Sequence, residues 1–300
     1  MTKSTIRLGT RGSRLALWQA NTVTAELQDL GYQVDIQIIK TKGDQIQDLS
    51  FDKIEGKGFF TSEIEQALLK NSIDFAVHSM KDLPTQKSEG LMLASLSQRA
   101  NPRDTLLLKK ASVLGKSPLT IKEAAVIGTS STRRKANLLH LFPTSVMKDI
   151  RGNVPTRLEK LRSGDFDGII LAQAGLDRLQ LDVSDLYSFP FDPSEFVPAP
   201  AQGVLAYQCR IEDKDMMNIL RKIHHHDTSD CTNIERKVLQ KMDGGCHLPL
   251  GVYCRKDAMG YYHTVACFSN DLQKPLRKVK LSQSTNHQLA EKIYDQLTSD

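Results

Sequence analysis

Four clusters in this 300-residue chain place donors, acceptors and a nucleophile at spacings that can do chemistry. Residues 9–19 read GTRGSRLALWQ. A strand-like stretch turns through Gly9 and Gly12 into a helical pattern, so the free N–H groups of a helix start stand beside Arg11, Ser13 and Arg14. That set suits a carboxylate or a phosphate. It lacks the Lys-Ser/Thr ending of a P-loop and the third glycine of a dinucleotide fingerprint. Its plain alternative is a tight turn with solvent-facing arginines. Residues 128–135, GTSSTRRK, repeat the device. With RGNVPTR at 151–157 they bring Arg133, Arg134, Arg151 and Arg157 near strand C-termini, where open α/β sheets bind ligands. Arginine favours planar, two-pronged carboxylate recognition, and two facing cradles imply a cleft between domains.

The other two clusters supply a carboxylate and a thiol. In HSMKDLP, residues 78–84, a buried-type run ends in Lys81 and Asp82. This is either a surface ion pair or a carboxylate kept ionised by its neighbour, able to accept N–H bonds and stabilise a cationic intermediate. In GGCHLPLG, residues 244–251, two glycines and Pro249 point to a loop presenting Cys246. A lone cysteine is otherwise a small buried hydrophobe. A loop thiol facing a basic cleft has a lowered pKa and is nucleophilic. His224, His225 and His226 look metal-like, but helix neighbours diverge by about 100° and cannot converge on one ion.

Periodicity names the elements that must position these groups. Strands are expected at 6–10, 33–40 and 73–78, with helices from Ser13 to about Leu30 and at 62–71. The polar stretch 42–58 has no clear period and reads as a lid. The middle third repeats the pattern: strands at 125–128, 146–150 and 166–172, helices at 132–141 and 154–162. Three letter matches in the same order tie the halves together: Gly9-Thr10 with Gly128-Thr129, Ile64-Glu65 with Leu158-Glu159, and Asp74–Leu83 with residues 167–176. Four prolines between 189 and 202 mark a crossover, after which 204–209 can return to the first sheet. Helices at 214–224, 229–241 and 287–297, with strands near 250–255, 261–268 and 276–282, make a separate α+β domain. The fold class is therefore α/β: domain 1 is 1–99 plus 198–213, domain 2 is 100–197, domain 3 is 214–300.

Composition bounds the reading. With 40% apolar and 25% charged residues the chain is soluble and globular. No apolar run approaches the ~18 residues of a membrane helix, and the start lacks an export signal, so the expected location is cytoplasmic. The five cysteines are odd in number and never spaced as CxxC, which suggests neither disulfides nor a metal site. Residues 131–162 hold eight Lys or Arg against two acids, a local excess above the whole chain's +5. This is a solvated helix face or an anion site.

Taken in order, these motifs resemble the hydroxymethylbilane synthase, or porphobilinogen deaminase, family over nearly the whole chain. KGFF at 57–60, NPRDTLL at 101–107, IRGNVPTRL at 150–158 and PAPAQG at 198–203 add to the likeness. The resemblance implies two type II periplasmic-binding-protein-like domains and a small third domain. It implies that four porphobilinogen molecules are joined head to tail with release of ammonia, then hydrolysed off as linear hydroxymethylbilane. A dipyrromethane cofactor would be attached through a thioether to Cys246, and Asp82 would be catalytic. Arg11, Ser13, Gln19, Lys57, Arg151 and Arg157 match substrate positions. Lys81, Thr129, Ser131, Arg133, Arg134 and Arg178 match positions around the cofactor and growing polypyrrole chain. The implied enzyme is a monomer without metal, nucleic-acid or membrane partner. Three positions depart from the family: Ala201 replaces a usual glycine, Pro155 follows Val154, and His247 follows the cysteine. A non-catalytic small-anion receptor would share the cleft without needing Cys246 or Asp82. A nucleic-acid binder would show steep salt dependence.

Overall fold

The computed structural model describes residues 5–41, 61–86, 88–115, 120–243, 248–272 and 274–299. Its elements run β1 (Ile6–Thr10), α1 (Arg14–Asp29), β2 (Val34–Ile38), α2 (Ser62–Leu69), β3 (Phe75–Ser79), β4 (Leu91–Leu96), β5 (Asp104–Lys109), β6 (Val126–Gly128), α3 (Thr132–Leu141), β7 (Val146–Lys148), α4 (Val154–Ser163), β8 (Gly168–Ala172), α5 (Gln173–Leu179), β9 (Leu186–Pro190) and β10 (Leu205–Arg210). They continue with α6 (Lys214–Arg221), α7 (His226–Lys241), β11 (Leu250–Lys256), β12 (Tyr262–Phe268), β13 (Arg277–Gln283) and α8 (Leu289–Thr298). The chain forms two compact units, Met1–Ala100 with Gly203–Ser229, and Asn101–Gln202 with Asp230–Asp300.

The first unit is a five-stranded sheet, β2-β1-β3-β10-β4. β1, β2 and β3 are parallel, and β10 runs antiparallel between β3 and β4. β10 is thus the expected returning strand. Leu8, Val23, Leu27, Phe75 and Tyr207 form the core on the α1 side; Ile64, Leu68 and Ala76 form that on the α2 side. Residues 214–229, expected in the third domain, group with this unit. The apolar face of α6 buries Met216, Met217 and Leu220 in the α1-side core.

The second unit repeats the plan as β7-β6-β8-β5-β9, with β5 antiparallel between β8 and β9. The two related α/β sheets anticipated from the sequence are therefore present. Asp74 and Asp167, matched by letter, also match by role. Asp74 Oδ2 accepts from Arg7 N at 2.7 Å and Asp167 Oδ2 from Val126 N at 2.9 Å, each tying the start of the third strand to the first. The antiparallel sheet β11-β12-β13, expected as a separate α+β domain, belongs to the second compact unit; its core of Ile234, Val238, Leu250, Val252 and Ile293 packs under α7 and α8. β4, β5, β9 and α5 have no sequence-based expectation. The three strands are short apolar or mixed runs without a distinguishing period.

Gly9 does not make the turn expected of it, while Gly128 closes the strand expected at 125–128. They lie inside β1 and at the end of β6. A Cβ at Gly9 would come within 2.3 Å of Ile73 Cδ1, and one at Gly128 within 2.9 Å of Phe166. Both are glycine for close packing. The helix starts align by cap, Ser13 with Ser131, so the first loop is one residue longer and the letter match of Ser13 with Thr132 is off by one.

Candidate active site

In the first unit, β1 hands the chain to residues 11–13 and then to α1, where Ser13 Oγ accepts from Ala16 N at 3.2 Å. This cap holds Arg11 at the C-terminal end of the parallel strands. β3 delivers His78 and Ser79 to the same end. A single 3₁₀ turn, Met80–Asp82, then carries Lys81 and Asp82. Pro84 disfavours helix at Leu83, so the turn stops there. Gln19 Nε2 donates to Ser79 Oγ at 2.9 Å, fastening α1 to the end of β3. Arg11, Ser13, Gln19, His78, Ser79 and Asp82 line one cavity of about 100 Å³. Four of these were predicted. His78 and Ser79 were not, although they immediately precede the Met-Lys-Asp step. Asp82 is exposed.

His78 is buried, and desolvation pushes it down to about 4. Its bond to Gln208 and the charge of Glu65 oppose that shift, while Arg11 adds to it. A larger hollow of about 390 Å³ lies at the N-terminal ends of β1 and β3, around Arg7, Asp74, Arg210 and Asp213. Its charges pair among themselves, Arg7 with Asp74 and Arg210 with Asp213, both at 2.7 Å, which makes it a brace.

In the second unit, Thr129 Oγ1 accepts from Ser131 N at 3.2 Å, and Ser131 caps α3 by accepting from Arg134 N. Ser130 Oγ donates to Ile150 O at 2.9 Å and accepts from Ile150 N at 3.1 Å, so the loop before α3 is bound to the one holding Arg151. Gly152 takes φ +108°, and Asn153 Oδ1 caps α4 through Thr156 N. Pro155 is the second residue of α4, where its missing N–H costs nothing. Arg157 Nε donates to Gly152 O at 2.8 Å. Burial first, and the neighbouring charge of Arg134 second, pull Arg157 down to about 10. Arg178 is buried on α5.

Arg133 and Arg134 are not simply ligand-facing. Both are buried on Asp104, which is itself fully buried. Arg133 Nη1 donates to Asp104 Oδ2 and to Val197 O, each at 2.7 Å. Arg134 donates to Asp104 Oδ1 through Nη2 at 2.7 Å and Nε at 3.1 Å, and to Ile170 O through Nη1. Gln202 Nε2 adds a bond to Asp104 Oδ1 at 3.1 Å. Three sequence motifs, NPRD, STRR and PAPAQG, thus meet at one buried carboxylate. Sequence reasoning missed Asp104, because nothing local pairs it with residues about 30 and 100 positions away. Next to Gln202, Ala201 takes φ +62°, in the left-handed region that favours glycine. Its N–H is held by the buried Glu235 at 2.6 Å.

Cys209, Cys231, Cys254 and Cys267 are buried in strands and a helix, as expected for packing thiols. Burial pushes Cys209 up to about 11 and also raises Cys267; a bond to Cys231 and then burial raise Cys254. Lys57, the 42–58 stretch and Cys246 with its flanking Gly244, Gly245 and His247 lie outside the described residues. The histidine run is not helical throughout, since α7 opens only at His226. His224 Nδ1 accepts from Leu96 N and His225 Nδ1 from Thr228 N, so hydrogen bonding already uses those lone pairs. Among the described residues no group of three or more His, Cys, Asp or Glu can hold a metal, and no helix is long and apolar enough to cross a membrane.

A family model described as "Porphobilinogen deaminase, dipyromethane cofactor binding domain" matches residues 6–218. The chain belongs to the porphobilinogen deaminase family. A porphobilinogen deaminase of Nitratiruptor sp. is 44% identical over 82% of this chain and 77% of its own. That of Chloroherpeton thalassium is 39% identical over 92% and 87%, and that of Listeria innocua 44% over 85% and 82%. Against solved structures the overlap is looser. A periplasmic substrate-binding protein from Coxiella burnetii, 14% identical, has a TM-score of 0.44 over 73% of this chain and 92% of its own.

Proposed function

We propose that this porphobilinogen deaminase family member is a hydroxymethylbilane synthase, a transferase that joins four porphobilinogen molecules head to tail, releases ammonia at each step and hydrolyses off linear hydroxymethylbilane. The observation that carries this reading is the first unit's cavity, where Arg11, Ser13 and Gln19 share one wall with Asp82. Each substrate pyrrole bears an acetate and a propionate. Arg11 and the helix start at Ser13 offer donors to such a carboxylate. Loss of ammonia leaves an electron-poor pyrrole whose N–H carries positive character. Asp82 accepts that N–H and stabilises the charge.

The second unit's residues fit a dipyrromethane cofactor, which carries several carboxylates. Arg157 lies in the field of Arg134, and both carry charge of the sign that a carboxylate needs. Arg151 and Arg157, with the helix start at Thr129 and Ser131, would hold those carboxylates. Arg133 and Arg134, held on Asp104, would add positive potential, and Arg178 would complete the second unit's set; Lys81 is assigned to the cofactor on the family resemblance. When bound through a Cys246 thioether, the cofactor supplies the pyrrole end from which the chain grows. The four described cysteines are buried, and the thiols of Cys209, Cys254 and Cys267 are raised above their ordinary range, which favours Cys246 as the nucleophile. Lys57 is assigned to substrate binding, and the enzyme works as a cytoplasmic monomer without nucleic-acid or membrane partner.

Intact mass and turnover test this together. The active protein should exceed its sequence mass by a covalent two-pyrrole adduct on the peptide containing Cys246. Cys246→Ala should lose adduct and activity while keeping its fold. An active protein at bare sequence mass, or an adduct on another cysteine, would refute the assignment.

A further inference from the structure

One buried titratable group at the cavity has no part in the reading above. His78 lies on β3, and strand alternation turns it to the α2 side, with Ala76, while Val77 and Ser79 face α1. Its Nε2 is 3.0 Å from Gln208 Oε1 on β10. Gln208 Nε2 in turn donates to Glu65 Oε1 on α2 at 3.0 Å, and the same oxygen accepts from Ser88 Oγ at 2.7 Å.

This order fixes every group. A carboxylate only accepts, so the Gln208 amide must turn its NH₂ to Glu65 and its oxygen to His78. That oxygen has no proton to give, so His78 must donate from Nε2, and its neutral ring keeps its lone pair on Nδ1. The relay links α2, β10 and β3 four positions before Asp82. Ser79 is fastened on the other side to Gln19, and Met80 N donates to Val204 O at 3.0 Å. Asp82 is thus carried by a strand end gripped on both faces by side-chain hydrogen bonds.

We propose that His78 is the positioning residue of the Asp82 turn, locked as its Nε2–H tautomer by the Glu65–Gln208 relay, which holds the cavity wall in its productive geometry. The proposal rests on the reading of Asp82 as the reacting carboxylate. Displacing a reacting group by about 1 Å costs on the order of 10²-fold in rate. His78→Phe fills the space without donating to Gln208, and Gln208→Met breaks the relay from the other side.

The test uses the cofactor-loaded enzyme with porphobilinogen, reading kcat and KM separately, the adduct mass, and ¹⁵N chemical shifts of the histidine ring. Each relay variant should lose about tenfold or more in kcat, with KM little changed and the adduct still present. His78→Gln, whose amide N–H replaces Nε2–H, should recover most of kcat. The native ring should give the Nε2–H pattern at neutral pH. Should His78→Phe fail to fold, Gln208→Met and the ring shifts decide the matter. Wild-type kcat in either relay variant, a His78→Gln enzyme as slow as His78→Phe, or an Nδ1–H ring would overturn the proposal. Full activity in Asp82→Asn would instead overturn the assignment of Asp82.

Discussion

The two α/β units share strand order and register, yet their corresponding turns carry different chemistry. Leu8 pairs with Phe75 as Ile127 pairs with Gly168, so the third strands superimpose residue for residue. On that alignment Asp82 corresponds to Gly175, Ser79 to Ala172 and His78 to Leu171. The first unit's strand ends in a short 3₁₀ turn cut off near Pro84. The second unit's strand runs into α5, where nothing interrupts the helix. The first loop leaves Arg11 and Asp82 on one cavity. The second gathers guanidinium groups, two of them gripped by Asp104. One scaffold therefore offers a carboxylate at one copy and a cationic cradle at the other. The difference lies in a few side chains at equivalent strand ends.

The strongest way to break this contrast is at Asp82. Asp82→Asn should fold normally and lose about 10²–10⁴ in turnover. Activity within twofold of wild type would remove the chemical distinction between the units. In the second unit, Asp104→Asn leaves two buried guanidiniums without their counter-charge and should destabilise the unit by about 3–5 kcal/mol. Denaturant unfolding checks this, and an unchanged midpoint would mean that the arginines do not depend on Asp104.

A pH series sharpens the comparison, because Leu171 stands where the first unit has its buried histidine. The unfolded chain takes up a proton as pH falls past 6.5, but folded His78 resists until about 4. Stability should therefore decline across that window and level off below it, by roughly 3 kcal/mol at 1.36 kcal/mol per pKa unit. His78→Gln should remove this part of the slope.

Arg157→Leu should cost about 1.5–3 kcal/mol in binding a chain carboxylate. It should appear as elongation stalled at one chain length or as poor cofactor loading. Normal elongation with lost nucleic-acid affinity would favour a nucleic-acid role. The smallest effect expected is at Ala201. Replacing it by Gly relieves a left-handed φ and should stabilise by up to about 1 kcal/mol, read from the urea midpoint.

Much of this was legible in the residues. Helix starts announce themselves locally, because a capping serine bonds an N–H three residues on; the cap at Ser13 was anticipated, whereas the letter match pointed to Thr132 and missed the cap at Ser131 by one residue. The internal repeat was visible because Asp74 and Asp167 do the same local task. The family resemblance assigned Arg11, Ser13 and Gln19 to substrate and Asp82 to catalysis, and the parallel strands of the first sheet gather them at one end. The family's motifs, lying in order along the chain, named the chemistry.

Other features depend on residues far apart in sequence and were decided by the tertiary structure alone. Asp104 holds Arg133, Arg134 and Gln202 because β5 is inserted antiparallel beside β8, a pairing no local period encodes. The His78–Gln208–Glu65 relay exists because β10 returns to the first sheet after the second unit is built. Gly9 is glycine because Ile73 packs against it, not because a turn requires it. The sequence by itself determined which local elements form and which reactive groups stand at their ends, since caps, turns and periodicity act within a few residues. Only the folded chain decided which charges neutralise one another and which stay available, because burial and pairing across 30 to 140 positions set those energies.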